Sequence, residues 1–239
     1  YMRPLKKPQD VLEMFRACEK GKHHLDRAIR NLLKFYERVL GFPKPFIDSL
    51  RAAIPRTSVG IDLKVPSDEE IEETFKKLAK ASARYKAVWL LVACGVRVEH
   101  AIKLLNTWDE RKLQEAEGFC RYALGLIKRS KACFFAYFPN ELLPIIREFK
   151  SGAYPTTNSK RIWQYAKNHG LVRPKYVRKW AYNKMIELGI PESVADFIHG
   201  RASRTVGAQH YLDKARQAER YVPRFMDYLR ELLKRAGWF

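Results

Sequence analysis

Three short stretches of this 239-residue chain carry charged or nucleophilic side chains that the local apolar pattern does not require. Arg97 follows an apolar run and a glycine, and Lys175 and Arg178 stand three positions apart at the start of a helical pattern. His199 comes shortly before Tyr211. Guanidinium groups suit phosphate oxygens, and histidine and tyrosine can carry proton transfer or nucleophilic attack. Taken singly, each stretch also has a structural explanation, so these residues gain weight only in combination.

The charge of the chain indicates a polyanionic partner. Lys and Arg number 46 against 26 Asp and Glu, a formal net charge of +20 with a pI of about 9.9. The segment Phe119–Lys184 alone holds 14 basic and 2 acidic residues. Such a one-sided stretch is typical of a surface that binds phosphates, and a basic surface kept for solubility is the alternative. We therefore predict a nucleic-acid partner first.

Other classes of protein are disfavoured by composition. The hydrophobic fraction of 46% excludes a mostly disordered chain, and no apolar run is long enough for a membrane span. The beginning of the chain does not resemble a signal peptide, and since it starts with Tyr1 rather than Met we expect a segment to precede it. The cysteines lack zinc-finger spacing, which predicts buried, reduced thiols in an intracellular protein; they are Cys18, Cys94, Cys120 and Cys133.

The elements that must position these residues divide into two parts. Apolar spacings of three and four predict helices over 8–20, over 24–40 and from Pro43 to about Ile54. The stretch Pro55–Pro66 has no helical period and carries turn residues, so we interpret it as a linker. The predicted domains are therefore residues 1–62 and 63–239.

The second part is predicted to be mainly α with a small antiparallel β-sheet, an α+β fold. Ser67 and Glu70 have capping-box spacing before a helix to about Ala81, and further helices follow over 85–94 and 97–106. Alternation over 120–138 predicts a β-hairpin with the basic tip Lys128-Arg129-Ser130-Lys131, and helices continue after Pro139. An apolar stripe within 217–239 packs on its own domain or docks onto a neighbouring protomer; both alternatives stay open.

In this order, the residues resemble the tyrosine recombinase, or phage-type integrase, superfamily, and most closely the archaeal virus and plasmid integrases. The family pattern is an Arg after a Gly, a Lys in a hairpin, a His-x-x-Arg box, a His or Trp and a nucleophilic Tyr. The matching positions are Arg97, Lys131, Lys175, Arg178, His199 and Tyr211. Lys128 is the alternative hairpin lysine. The chain departs from the pattern in carrying Lys175 for the usual His and His100 where many relatives have an acid.

The resemblance implies a site-specific DNA recombinase that integrates or excises a mobile element through a covalent 3′-phosphotyrosine. Arg97 and Arg178 would hold the phosphate, assisted by Lys175 and His199, while Tyr211 attacks. The hairpin lysine would protonate the leaving oxygen, and neither metal nor cofactor is implied. The first domain would be a helical core-binding domain that clamps DNA, and the second the catalytic domain.

The implied partner is double-stranded DNA at attachment sites, bound by a homo-oligomer that is a tetramer on DNA, with a monomer as the state expected away from DNA. The expected location is the cytoplasm of an archaeal cell, at the nucleoid, and no membrane partner is implied. The candidate DNA-binding residues are Lys128, Arg129, Lys160, Arg161, Arg173, Lys179 and Arg201. A non-catalytic DNA-binding protein of the same fold and a type IB topoisomerase-like strand transferase are the alternatives.

Overall fold

The computed structural model of the chain describes residues 4–56, 62–128, 131–153, 155–201 and 209–238, with the side chains of 126–132 and 209–213 outside that description. The chain divides into two compact units, Tyr1–Leu63 and Lys64–Phe239. Three helices form the first unit: α1 (Pro8–Ala17), α2 (Lys22–Arg38) and α3 (Lys44–Ala52). Each turns its apolar stripe inward, as its spacing predicts. The resulting core consists of Leu5, Val11, Phe15, Ile29, Leu33, Ile47, Leu50 and Ile54.

Helices also dominate the second unit. The central one is α5 (Ala83–Ala93), whose positions from Ala87 to Ala93 are all buried because it is apolar all round. In the described parts of the chain, no helix combines the length and the apolar character that a membrane crossing needs. The other helices are α4 (Asp68–Ala79), α6 (Val98–Asn106), α7 (Leu142–Ser151), α8 (Ser159–Asn168), α9 (Pro174–Glu187), α10 (Glu192–Ile198) and α11 (Gln209–Arg235).

In the described residues, an antiparallel sheet of three strands accompanies these helices, with the order β1 (Leu113–Ala116), β2 (Phe119–Lys128), β3 (Lys131–Phe138). The predicted hairpin is present as β2 and β3. Strand β1 was not predicted, because its four residues show no apolar alternation. The predicted alternation along β2 is interrupted: one extra residue stands on β2 between the pairs Ala123–Phe135 and Leu126–Cys133. Gly125, with φ +56°, lies in this bulge.

The capping box predicted at the start of α4 is confirmed. The Ser67 hydroxyl accepts a hydrogen bond from the Glu70 amide at 3.3 Å, and the Glu70 carboxylate accepts one from the Ser67 amide at 2.9 Å. These bonds satisfy donors that a helix N-terminus otherwise leaves unpaired. The fold class predicted from sequence, mainly α with a small antiparallel sheet, is confirmed at this level.

The apolar stripe near the C-terminus packs within its own unit. Its members are each at most 1% exposed, which leaves this face of α11 no room for a neighbouring protomer. Trp238 adds an edge-on contact to Phe75, and its indole N–H donates to the Phe75 carbonyl at 2.8 Å. The stripe consists of Val222, Phe225, Met226, Leu229, Leu232 and Leu233.

A polar junction at Asp68 ties three helices together. The carboxylate at the start of α4 accepts hydrogen bonds from Trp180 Nε1 (2.7 Å), Lys184 Nζ (2.9 Å) and Tyr228 Oη (2.9 Å). Trp180 and Lys184 belong to α9, and Tyr228 to α11. Burial raises the pKa of Asp68, but the three hydrogen bonds outweigh burial and hold that pKa below 3.8. The junction therefore depends on an ionised carboxylate.

Asp68→Asn is expected to lower the free energy of unfolding by about 1–2 kcal/mol at neutral pH, because hydrogen bonds to a charged acceptor are lost. A depressed pKa contributes stability above the unfolded value, and that contribution is lost as the pH falls through the folded pKa. The difference between the two proteins should therefore shrink below about pH 4. Urea unfolding at several pH values measures it. A difference that stays constant down to pH 3 would contradict the assignment.

Candidate active site

Arg97 lies in the short connection between α5 and α6. The chain turns at Gly95, whose φ is +91°, and Arg97 then stands at the N-cap of α6. Its side chain is half-buried and reaches the end of α10, where Nη1 donates to the main-chain carbonyls of His199 at 3.2 Å and Gly200 at 2.8 Å. A guanidinium has five N–H donors, so these two bonds orient the group while leaving donors to spare.

Arg178 approaches the same place from α9. Its Nε donates to the Gly95 carbonyl at 2.8 Å, and its Nη2 donates to the His199 carbonyl. The two arginines therefore share one acceptor, although they are 81 positions apart in the sequence. All the acceptors described for these two guanidiniums are main-chain carbonyls. Two cations are held side by side without a carboxylate among their described hydrogen-bond partners, which is a suitable arrangement for binding an anion.

His199 is the third residue of the cluster; it lies at the C-cap of α10 and is 1% exposed. Its ring occupies the space that a side chain at Gly95 would need, and it meets the ring of Tyr182 edge to face, with centroids 5.1 Å apart. Neither ring nitrogen has a hydrogen-bond partner in the part of the chain that the structure describes. Buried polar atoms of native proteins normally have partners, and both ring nitrogens of this imidazole keep their capacity to donate or accept a hydrogen bond.

Burial and mutual repulsion shift the ionisation of the cluster. Burial, then the charges of Arg97 and Arg201, lower the pKa of Arg178 to about 9, so its guanidinium remains charged at neutral pH. Burial and Arg201 likewise lower the pKa of Arg97. Burial is also the main cause of a pKa of His199 well below 6.5, and the charges of Arg178, Arg201 and Arg97 add to it. His199 is therefore a neutral imidazole at physiological pH.

Gly95 is essential to this geometry. A Cβ built there would lie 2.9 Å from the Cδ2 and Nε2 atoms of His199, and the positive φ disfavours any side chain. We expect Gly95→Ala to cost about 1–3 kcal/mol of unfolding free energy and to displace the imidazole. Gly170→Ala is the matched control, since Gly170 also has a positive φ (+56°) but nothing within 4 Å of the added carbon. Urea unfolding of both variants should show the larger loss at Gly95.

Two neighbours of the cluster, Arg201 and Tyr182, were not predicted to be part of it. Arg201 was predicted only as a DNA contact, yet its guanidinium stacks on the Tyr182 ring at 4.2 Å and pairs with Asp196 at 3.7 Å. Its charge acts on both arginines and on His199. Tyr182 had a usable signal, because it follows Arg178 by four positions and so shares its face of α9.

Strand β3 brings the hairpin toward the same arginines. Burial raises the pKa of the Cys133 thiol to about 11, and the charges of Arg97 and Arg178 act against that rise. Lys131 stands two positions before Cys133 and pairs with Lys128 across the strands. The side chains of both lysines, and all of Arg129, lie outside the described residues. The choice between Lys128 and Lys131 therefore stays a prediction.

The other predicted residues surround the cluster less closely. Lys175 is exposed on the first turn of α9, with its ammonium 5.2 Å from the centroid of the Tyr176 ring. Tyr211 lies in the first turn of α11, but its side chain is outside the described residues. The structure thus brings together Arg97, Arg178 and His199.

The predicted DNA contacts that the structure describes lie on three elements. Lys160 and Arg161 are exposed on the first turn of α8, and Arg173 is exposed at the N-cap of α9. Lys179 is partly buried on α9. Within the described parts of the chain, no group of three or more His, Cys, Asp or Glu side chains is placed to hold a metal ion.

Comparison with models of protein families gives a match over residues 63–228 to the archaeal phage integrase family. The match covers more than half of the chain and includes every element that contributes to the cluster. A search of curated proteins finds no match. The family predicted from the order of the residues is confirmed, and its description supports the predicted function of an integrase acting on DNA. The chain belongs to the archaeal phage integrase family.

Proposed function

We propose that the chain is a site-specific DNA recombinase of the tyrosine type. It would cut and rejoin duplex DNA through a covalent 3′-phosphotyrosine and so integrate or excise a mobile element. The observation that carries this proposal is the pair of guanidiniums, Arg97 and Arg178, fixed by the carbonyls of Gly95, His199 and Gly200. A phosphodiester under attack gains negative charge on its non-bridging oxygens, and preorganised cations stabilise that charge.

The chemistry is a phosphoryl transfer to a tyrosine oxygen. The oxygen of Tyr211 forms a bond to the scissile phosphorus, and the bond from phosphorus to the 5′ oxygen breaks. The neutral imidazole of His199 is the candidate acceptor of the phenol proton, because it is buried beside both arginines and neither ring nitrogen is hydrogen-bonded to a described residue. The leaving 5′ oxygen takes a proton from the hairpin lysine, Lys131 or Lys128. Religation runs the same steps backward, so the covalent bond conserves the energy of the phosphodiester.

Lys175 takes a peripheral role in this proposal. It is exposed one helical turn before Arg178, on the same face of α9. An ammonium there would add positive charge next to the phosphate. With Arg173 at the N-cap of the same helix, it belongs to the surface that would hold the DNA backbone.

The first unit is proposed to grip the DNA. Four polar side chains recur at helical spacing along α2 and are all exposed: Arg27, Asn31, Lys34 and Arg38. Three of them are cationic, which suits contacts to successive phosphates rather than to base edges. The predicted assembly of four protomers on two DNA sites belongs to the same proposal.

A suicide-substrate assay tests the proposal. The chain is mixed with labelled, nicked duplex DNA carrying candidate attachment sites, without added metal, and the products are separated in SDS. We expect an SDS-stable adduct joined to the 3′ side of the cleaved strand, with a free 5′ hydroxyl on the other side. Peptide mapping of the adduct should locate the label on Tyr211.

The alternatives predict different products. Tight, salt-sensitive binding without any adduct would favour a non-catalytic DNA-binding protein, because phosphate contacts alone give that salt dependence. Relaxation of supercoiled plasmid, with no strand exchange between two sites, would favour a type IB topoisomerase-like activity. An adduct on the 5′ side would contradict the proposed chemistry.

A further inference from the structure

The long helix α11 is held unevenly along its length. Its second half buries the apolar stripe described above, and Arg230 adds hydrogen bonds to Glu141 at 2.8 Å and to the Gly118 carbonyl. Among its described residues before Val222, the first half, which carries Tyr211, fully buries only the apolar side chains of Ala215 and Ala218, while Tyr221, next to Val222, packs partly buried against the core. Over the described positions 214–220, apolar contact therefore holds the helix weakly, because burial of alanine removes little surface from water.

A proline divides the two halves. Pro223 has no N–H, so the carbonyl of Glu219 lacks the partner that an α-helix normally supplies four residues later. Proline inside a helix also favours bending at that point. The first half of α11 is thus less firmly coupled to the second half than an unbroken helix would be, and its position depends on contacts of its own.

One polar contact is placed to set that position. The guanidinium of Arg121, on β2, donates through Nη1 to the carboxylate of Glu219. Arg121 is itself fixed, since its Nε donates to Gln114 Oε1 at 2.9 Å and its guanidinium lies 4.8 Å from the centroid of the Phe135 ring. Both partners are partly exposed, at 26% and 34%. A guanidinium held by two further contacts is a well-defined anchor for the carboxylate.

We propose that Arg121 and Glu219 are positioning residues for the nucleophile: their ion pair holds the part of α11 that carries Tyr211 against the strand that leads to the hairpin lysine. Glu219 follows Tyr211 by eight positions, a rise of about 12 Å along a helix, and Arg121 precedes Lys128 by seven on β2. The pair therefore links the two elements on which the proposed nucleophile and the proposed proton donor stand. This inference rests on the proposed function.

The test compares two matched substitutions on the full chain. Glu219→Gln breaks the pair with Arg121. Glu72→Gln breaks the pairs of Glu72 with Lys76 and with Arg235, and the second of these, with a Nε–Oε2 distance of 2.9 Å, anchors the other end of α11. We expect Glu219→Gln to slow single-turnover adduct formation by about three- to fivefold, the range of a partly exposed ion pair. Non-covalent DNA affinity should stay unchanged, and Glu72→Gln should leave the cleavage rate unchanged.

Charge exchange separates positioning from a general loss of stability. Each single reversal, Arg121→Glu or Glu219→Arg, should slow adduct formation more than Glu219→Gln does, because it sets like charges together. The double variant Arg121→Glu/Glu219→Arg should recover rate relative to both singles. A double variant slower than both singles, or Glu219→Gln cleaving at the wild-type rate, would overturn the inference.

Hydrogen exchange provides a readout that does not require cleavage. Glu219→Gln should raise amide exchange over residues 212–220 and leave residues 224–235 protected, since only the first half of α11 loses its anchor. Faster exchange in a chain that forms no adduct even as wild type would refute the proposed chemistry and retain the mechanical role of the pair. Unchanged exchange over 212–220 would overturn that role, whatever the cleavage assay shows.

Discussion

Tyr211→Phe is expected to abolish the SDS-stable protein–DNA adduct while leaving non-covalent DNA binding within about twofold of the wild type. The substitution removes one oxygen, the atom that is proposed to bond to phosphorus, and keeps the ring. Loss of a covalent nucleophile lowers a rate by roughly 10⁴-fold or more, which places residual cleavage below the background of the assay. Single-turnover reactions on nicked duplex DNA, with binding measured in parallel by electrophoretic shift, give both quantities.

Tyr221→Phe is the matched control for that experiment. Tyr221 lies on the same helix, is partly buried against the core of the second unit, and undergoes the same chemical change. It should form adduct at the wild-type rate. An adduct that survives Tyr211→Phe would show that another tyrosine attacks, and peptide mapping of that adduct would identify it.

The elements of the fold were largely predictable because their signals are local. Helix spacing, the Ser67–Glu70 capping box and the alternation over 120–138 each involve residues a few positions apart, and the structure contains each of the corresponding elements. Strand β1 could not be predicted from such local signals. Only one of its four residues is even partly buried, so no alternation marks it, and only pairing with β2 makes it a strand.

The cluster could be predicted only as a set of residue types. The order of Arg97, Arg178 and His199 along the chain indicated the family. That order does not show which groups accept hydrogen bonds from the two arginines. Those acceptors are the main-chain carbonyls of Gly95, His199 and Gly200, and every residue has such a carbonyl. Which carbonyl faces a guanidinium depends on the packing of α5, α9 and α10. The positive φ of Gly95 and its contact with the His199 ring depend on the same packing.

Arg178→Lys is expected to lower the rate of adduct formation by about 10²–10³-fold, the cost of removing one preorganised donor that stabilises developing charge. Lysine keeps the positive charge but not the planar fork that donates to the Gly95 carbonyl at 2.8 Å and to the His199 carbonyl. An ammonium at this position cannot both hold those acceptors and present donors in fixed directions to a phosphate. DNA affinity and its salt dependence should therefore change little, because the number of cations that meet the backbone is the same.

Two comparisons distinguish this expectation from a simple loss of folding. Arg111→Lys makes the same change at a residue whose side chain is 89% exposed, and its cleavage rate should equal that of the wild type. In Arg178→Ala, added guanidinium salt at low concentration should restore part of the cleavage rate, since a free guanidinium can occupy the space and supply the missing donors. If Arg178→Lys cleaved as fast as the wild type, charge alone would suffice at this position. The fixed geometry of the paired arginines would then not be the basis of catalysis, and the proposal would lose the observation that carries it.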